Sequence, residues 1–196
     1  MWHHISPCDY PGTPRAKTAL RSVLSNLYIA LAFGCGDPTA PQATIAISAT
    51  VDGVPWRPGG GGAPPPYATL YQGDQVLAVG GLYSRSTPYR SEQILLSLNH
   101  VTGPGSYALG DPGVTSSGLY TVWQGLLTDP GFSVTSYFTS AAVTGTVVLS
   151  QLDPATHAIA GSFSFEAESA SGGRVAITAG SFHGHYDPNP PNGARW

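Results

Sequence analysis

The sequence predicts an all-β fold, an antiparallel β-sandwich or a partly open β-barrel of about nine to ten short strands separated by turns every ~8 to 12 residues. Three observations carry this prediction. Gly (25 residues) and Pro (18 residues) are abundant and gather between short apolar runs, where they act as turn and loop residues. The runs themselves alternate with period two, most regularly over residues 159–168. Charged residues make up only 10% of the 196-residue chain, too few for a coiled coil or helix bundle, while a hydrophobic fraction of 41% suffices for a packed core.

The first two strands are expected over 43–51 and Val54–Trp56, flanking Asp52-Gly53, a pair that favours the positive φ angles of a tight hairpin turn. Residues 58–66 (PGGGGAPPP) form a loop, flexible at its glycines and stiff at its prolines. With no Lys-Ser/Thr and no helix after it, this loop is a poor phosphate cradle. Strands follow over Tyr67–Tyr71 and 76–83. The second is apolar on both parities (Val76, Ala78 and Leu82 against Leu77, Val79 and Tyr83), as a central strand covered on both faces would be. Residues 92–98 place Ile94, Leu96 and Leu98 on one face; Gly105–Leu109 is a short strand; 118–124 follows the turn at Gly110-Asp111-Pro112-Gly113; and 132–139 is polar and reads as an edge.

In the last quarter, 144–152 leads through the turn Asp153-Pro154-Ala155-Thr156 into 159–168. There Ile159, Gly161, Phe163, Phe165 and Ala167 share the core face, and Ala160, Ser162, Ser164, Glu166 and Glu168 the solvent face. The return strand, 174–186, has its better core face at Val175, Ile177 and Ala179, so odd residues must pair with odd, as a register with Glu168 opposite Arg174 provides. One domain over 43–186 results, with 187–196 a loose Pro-rich tail.

The leader differs from the rest. Arg15, Lys17 and Arg21 precede an apolar run over 23–34, whose 12 residues fall short of the ~20 a membrane-spanning helix needs but suit a signal peptide. The run ends in Ala32-Phe33-Gly34-Cys35, which resembles the lipobox of bacterial lipoproteins. That resemblance implies that 1–34 is a signal peptide with an overlong leader, that Cys35 is lipidated as the mature N-terminus, and that 35–42 is a tether. The protein would then be exported and lipid-anchored at the bacterial outer membrane or cell surface. The alternatives are ordinary secretion, or a buried strand or helix over 23–34 with Cys35 as a core thiol. From Cys35 onward five arginines face ten acidic residues and no Lys occurs, a net charge of −5 that removes nucleic acid from the expected partners.

Within the domain, the succession Gly145-Thr146-Val147-Val148-Leu149, then Ile159-Ala160-Gly161-Ser162-Phe163-Ser164-Phe165, then Val175-Ala176-Ile177-Thr178-Ala179-Gly180-Ser181-Phe182, resembles an uncharacterised family of secreted bacterial lipoproteins. The same family often carries a lipobox Cys (Cys35), an early Ala-x-Val-Asp-Gly-x-x-Trp element (Ala49, Val51, Asp52, Gly53, Trp56) and a central Gly-x-Tyr-x-Leu (Gly105, Tyr107, Leu109). The resemblance covers most of 35–186 and implies an anchored all-β domain, with no established activity and no catalytic residues.

Candidate chemistry is sparse. In the register above, His157 lies opposite His185 and His183 opposite Ile159, which would bring three imidazoles to one face, a set able to hold zinc. The competing reading is a core face running out into solvent, and no metal is expected. Glu166 and Glu168 share the outer face of one strand, as solubilising charge rather than as a glycosidase pair across a cleft. No nucleophile elbow, His-Glu-x-x-His helix or cofactor motif occurs, so neither an enzyme nor a cofactor is expected. Tyr67 and Tyr71 share one face beside the Gly/Pro loop, and with Trp56 they are the candidates to stack on a ligand; otherwise they belong to the core. The expectation is a monomeric, lipid-anchored envelope binding or scaffolding module with a glycan or protein partner. The alternatives are a carbohydrate or small-apolar-ligand binding protein using exposed aromatics, and a hydrolase.

Overall fold

The computed structural model describes residues 45–71, 75–113 and 115–188. Cys35, the apolar run before it and the tether lie outside the described residues. The fold is all-β, as predicted: eleven strands, β1 (Ile45–Val51), β2 (Val54–Trp56), β3 (Tyr67–Tyr71), β4 (Val76–Ser86), β5 (Tyr89–Leu98), β6 (Gly105–Leu109), β7 (Ser117–Gln124), β8 (Ser133–Phe138), β9 (Gly145–Asp153), β10 (Ala158–Ser169) and β11 (Arg174–His185). They form one antiparallel sheet in the order β2-β1-β11-β10-β8-β7-β5-β4-β3, with β9 pairing β10 and β6.

This order has a consequence for the turns. Because neighbours on the path are antiparallel, the hairpins β1–β2, β4–β5, β7–β8 and β10–β11 all turn at the same end of the sheet. β1 begins at the opposite end, so the chain preceding it joins the domain there.

A single sheet buries one continuous face only by curling over itself. Ile47, Leu77, Ile94, Leu96, Val147, Ile159, Phe163 and Phe182, drawn from both halves of the sheet, all belong to one buried cluster. Two isolated parallel bridges tie the extremes: Gly59 to Tyr83, and Thr69 on β3 to Asp187 just beyond β11. Asp187 donates its N–H to Ala68 (2.9 Å) and accepts from Leu70 N–H (3.0 Å), so the ordered domain reaches past residue 186 into the segment expected to be a loose tail. The glycine loop is held too: Gly59 N–H reaches Leu82 O, Ser84 N–H reaches Gly59 O, and a Cβ on Gly60 would stand 2.5 Å from Ser84 O. Its glycines permit this close approach to β4 rather than leaving the loop free.

The wall made by β9, β10 and β11 is packed by rings lying over glycines. A Cβ at Gly180 would be 2.5 Å from the Phe163 ring, one at Gly161 2.6 Å from that of Phe182, and one at Gly145 2.1 Å from Cβ of Phe165. At Gly180 and Gly161 a ring, and at Gly145 the β10 backbone with Phe165 Cβ, fills the space an alanine would need, and the Gly-x-Phe pattern of β10 follows from that fit.

The β10–β11 register agrees with expectation near the turn, where Glu168 faces Arg174 and Phe165 faces Ile177, and then slips by one. Thr178 and Ala179 of β11 together face Ser164 of β10, a bulge that turns the chain through Ala179 at φ 49°. Every later residue of β11 therefore changes face: Gly180 and Phe182 point inward, whereas Ala179, His183 and His185 are exposed. The expected core position of Ala179 and the alignment of His157 with His185 are both corrected by this one inserted residue; Ala158 faces His185 and Ala160 faces His183. β4 and β5 run further than expected, to a two-residue turn at Thr87-Pro88 (a cis peptide) that pairs Ser86 with Tyr89. The polar residues around this turn carry no hydrophobic alternation, which hid it.

Candidate functional site: the end ringed by four turns

Where the four hairpins turn, the inner face of the sheet passes from apolar to charged in successive cross-strand rows. Directly opposed residues on antiparallel neighbours share a face, so the rows follow from register. One row runs Gly81, Ile94, Tyr120, Tyr137, with Ile94 and Tyr120 buried. The next runs Tyr83, Glu92, Val122, Thr135, and the outermost Arg85, Arg90, Gln124, Ser133. Exposure rises across these rows as the opposite wall falls away: the Glu92 side chain is 15% exposed and that of Arg90 34%, and Arg85, Gln124 and Ser133 lie open.

Electrostatics at this end centre on one half-buried pair. Arg90 Nε donates to Oε1 of Glu92, and this bond holds the guanidinium more firmly protonated than usual. Beneath it, burial first and the neighbouring Glu92 carboxylate second push the Tyr120 phenol well above its ordinary value, so it stays neutral and able to donate. Tyr137 packs beside Tyr120 with ring centroids 5.9 Å apart. Glu168 and Arg174 form the other salt bridge among the described residues (3.3 Å), and neither bridge includes Arg85.

The β4–β5 hairpin that carries these charges is pinned from behind. On its outer face Ser91 Oγ donates to Ser84 Oγ at 3.0 Å, both serines being buried, and lies 3.2 Å from the Tyr89 hydroxyl. Across the same end, the Asp52-Gly53 turn has φ of 47° and 82°, as a tight hairpin requires. The Asp52 carboxylate then accepts the Ala176 N–H at 2.8 Å, tying β1–β2 to β11. Among the described residues, four of the six most exposed large apolar side chains lie at this end: Val54 (65%), Leu126 (50%), Leu127 (81%) and Val134 (40%).

The residues singled out from the sequence lie elsewhere. Trp56 is 3% exposed and belongs to the core, not to a stacking surface. Tyr67 and Tyr71 do share the outer face with Thr69, but the Tyr67 ring lies over Gly80, and burial pushes its phenol up to about 12. His157 packs on the ring of Tyr186 at 5.4 Å, whereas His183 and His185 stand on the exposed face of β11. Among the described residues no three His, Cys, Asp or Glu side chains gather as a metal site would need. Glu166 and Glu168 lie side by side on one strand, as expected; Glu166 also lines an open outer depression of ≈ 440 Å³ with Thr144, Thr146, Ser164 and Thr178.

Arg85 and Arg90 escaped the sequence reading. Their signal was the spacing around Thr87-Pro88, since a two-residue hairpin turn there makes 85 and 90 direct partners.

Residues 44–184 match a family model described as a domain of unknown function (DUF6252). No curated protein and no solved structure matches the chain.

Proposed function

The chain belongs to the DUF6252 family, a domain of unknown function, and from its site we propose an exported, lipid-anchored envelope protein whose domain is a binding module rather than an enzyme. The observation that carries the reading is that exposed Val54, Leu126, Leu127 and Val134 and the charged Arg85, Arg90 and Glu92 all lie toward the same end of the sheet. Exposed apolar tips rimmed by polar groups are what a partner desolvates, and a stiff sheet presents them with little ordering cost. Cys35 lies ten residues before β1, whose first residue is at the end of the sheet opposite the four turns. The side-by-side placement of Glu166 and Glu168 on one strand, with Glu168 paired to Arg174, supports charge rather than catalysis there.

Two measurements test this. Mass spectrometry of membrane-extracted protein is expected to find a lipid on Cys35 and no residue before it; an unmodified chain beginning at Met1 removes the anchor. Hydrogen exchange on the full chain, with and without a detergent extract of the bacterial envelope, is expected to slow at 51–54, 83–92 and 124–135. Unchanged exchange there removes the binding role. A carbohydrate-binding reading has one observation in its favour, the hydroxyl- and carboxylate-lined depression around Glu166 and Thr178; in that case protection falls on 142–146 and 164–178 instead.

A further inference from the structure

We propose that Arg85 and Arg90 together form a binding site for an oxyanion, a carboxylate or phosphate group carried by a small ligand. The inference rests on the four-turn end being a binding surface and names the chemistry it recognises.

The arrangement of these two arginines is unfavourable on its own. Arg85 and Arg90 are directly opposite on β4 and β5, and like charges in that position repel. Residues 45–188 hold nine acids and only four arginines, so an acidic neighbour for Arg85 would have been the common outcome. Instead two of these four arginines oppose each other, and Glu92, one row below on the same face, is taken by Arg90 through Nε. Donors remain on the terminal nitrogens of Arg90, and Arg85 contributes a whole guanidinium fork. Two planar forks carried on directly opposed residues can match the paired oxygens of a carboxylate or phosphate.

The pair is also held in place before any ligand arrives. The two-residue turn at Thr87-Pro88, the Ser84–Ser91 hydroxyl bond and the Ser84 N–H to Gly59 O bond fix both strands behind the arginines. Such rigidity lowers the ordering cost of recognition. Tyr83 in the row below is packed against the core and offers an apolar floor for the body of a ligand. The acidic surroundings select against extended polyanions, which would meet the net negative field, and leave a small or singly charged anion as the ligand that fits.

The test uses the full chain and the Nε–Hε resonances of its arginines. Sodium glucuronate and sodium phosphate are titrated separately, with sodium chloride at matched ionic strength as control. Saturable shifts of Arg85 and Arg90 are expected, with a dissociation constant on the order of 1–10 mM for these fragments. Saturation by glucuronate alone assigns a carboxylated ligand, and saturation by phosphate alone a phosphorylated one. Arg85→Gln should weaken binding about tenfold or more while melting at the same or a higher temperature without anion, because the repulsion is gone. Shifts that chloride reproduces, or an Arg85→Gln protein that binds as the wild type does, would overturn the assignment. Envelope-dependent protection that survives Arg85→Gln would sink this inference alone, whereas anion binding with no protection by the extract would sink the broader binding role alone.

Discussion

The β9–β10–β11 wall and the four-turn end follow the same strand alternation, yet they use it for opposite purposes. In the wall the inner residues are Val147, Leu149, Ile159, Phe163, Phe165 and Phe182, and the rings press onto glycines closely enough that a single methyl group has no room. At the turn end the inner positions continue in register but become Tyr83, Glu92, Arg85 and Arg90, and burial fades row by row. The difference teaches where each kind of residue is tolerated. A charge inside the wall would meet no water and no partner, whereas two rows nearer the rim a half-exposed pair keeps part of its hydration. The wall is therefore where stability is concentrated, and the end is where specificity can be.

Substitutions should separate the two regions by size of effect. Gly145→Ala places a Cβ 2.1 Å from Cβ of Phe165 and 2.6 Å from Ser164 O, neither of which can retreat without moving β10. A loss of about 3 kcal/mol or more is expected in urea unfolding. A loss under 1 kcal/mol would mean that the wall is looser than its geometry. The covered outer face of β4 gives the next effect. The Tyr67 phenol is raised from 10.0 to about 12 by burial first and Tyr71 second. Its contribution is fully present below pH 10 and is lost as the pH rises toward 12, because the unfolded chain ionises first. The loss is on the order of 2–3 kcal/mol by pH 12. Unfolding followed from pH 9 to 12 should show this slope in the wild type and a shallower one in Tyr67→Phe; equal slopes would place the ring in water.

At the turn end the expected changes are smaller. Asp52→Ala removes the acceptor for Ala176 N–H and a residue suited to positive φ, and should cost about 1–2 kcal/mol. Asp52→Asn should recover part of that cost. Within the wall, Ala179→Gly at the β11 bulge should raise stability by about 1 kcal/mol, since it relieves a left-handed alanine without touching the rings. Val54→Ser, at a side chain 65% exposed, should change stability by no more than about 0.5 kcal/mol. A large loss there would erase the contrast between wall and end.

Much of the fold was legible because period-two alternation and turn residues are local. The strands β10 and β11, the Asp52-Gly53 hairpin and the two-faced β4 all follow from residues within a few positions of one another; β8, expected at an edge from its polar residues, instead lies between β7 and β10, because which strands neighbour it is set by long-range pairing. The register of Glu168 against Arg174 was legible as well, since matching two core faces leaves little choice. The bulge at Thr178-Ala179 was not, because its sequence carries no obligatory marker. Its one-residue slip moved His183 and His185 outward and dissolved the histidine cluster. Trp56 was ambiguous for a similar reason: an aromatic on a short strand suits a core or a surface equally until its neighbours are known. The arginine pair stayed hidden because Ser84, Arg85, Ser86, Arg90 and Ser91 lack the apolar alternation that reveals a hairpin.

By itself the sequence determined an all-β domain, nearly every strand and turn, and the acidic, Lys-free character of that domain, because composition and period-two pattern act over a few residues and need no partner. Tertiary structure decided which strands neighbour one another, that four turns share one end, which rings lie over which glycines, and that Arg85 meets Arg90. Those depend on long-range register, where one inserted residue reverses every face that follows it.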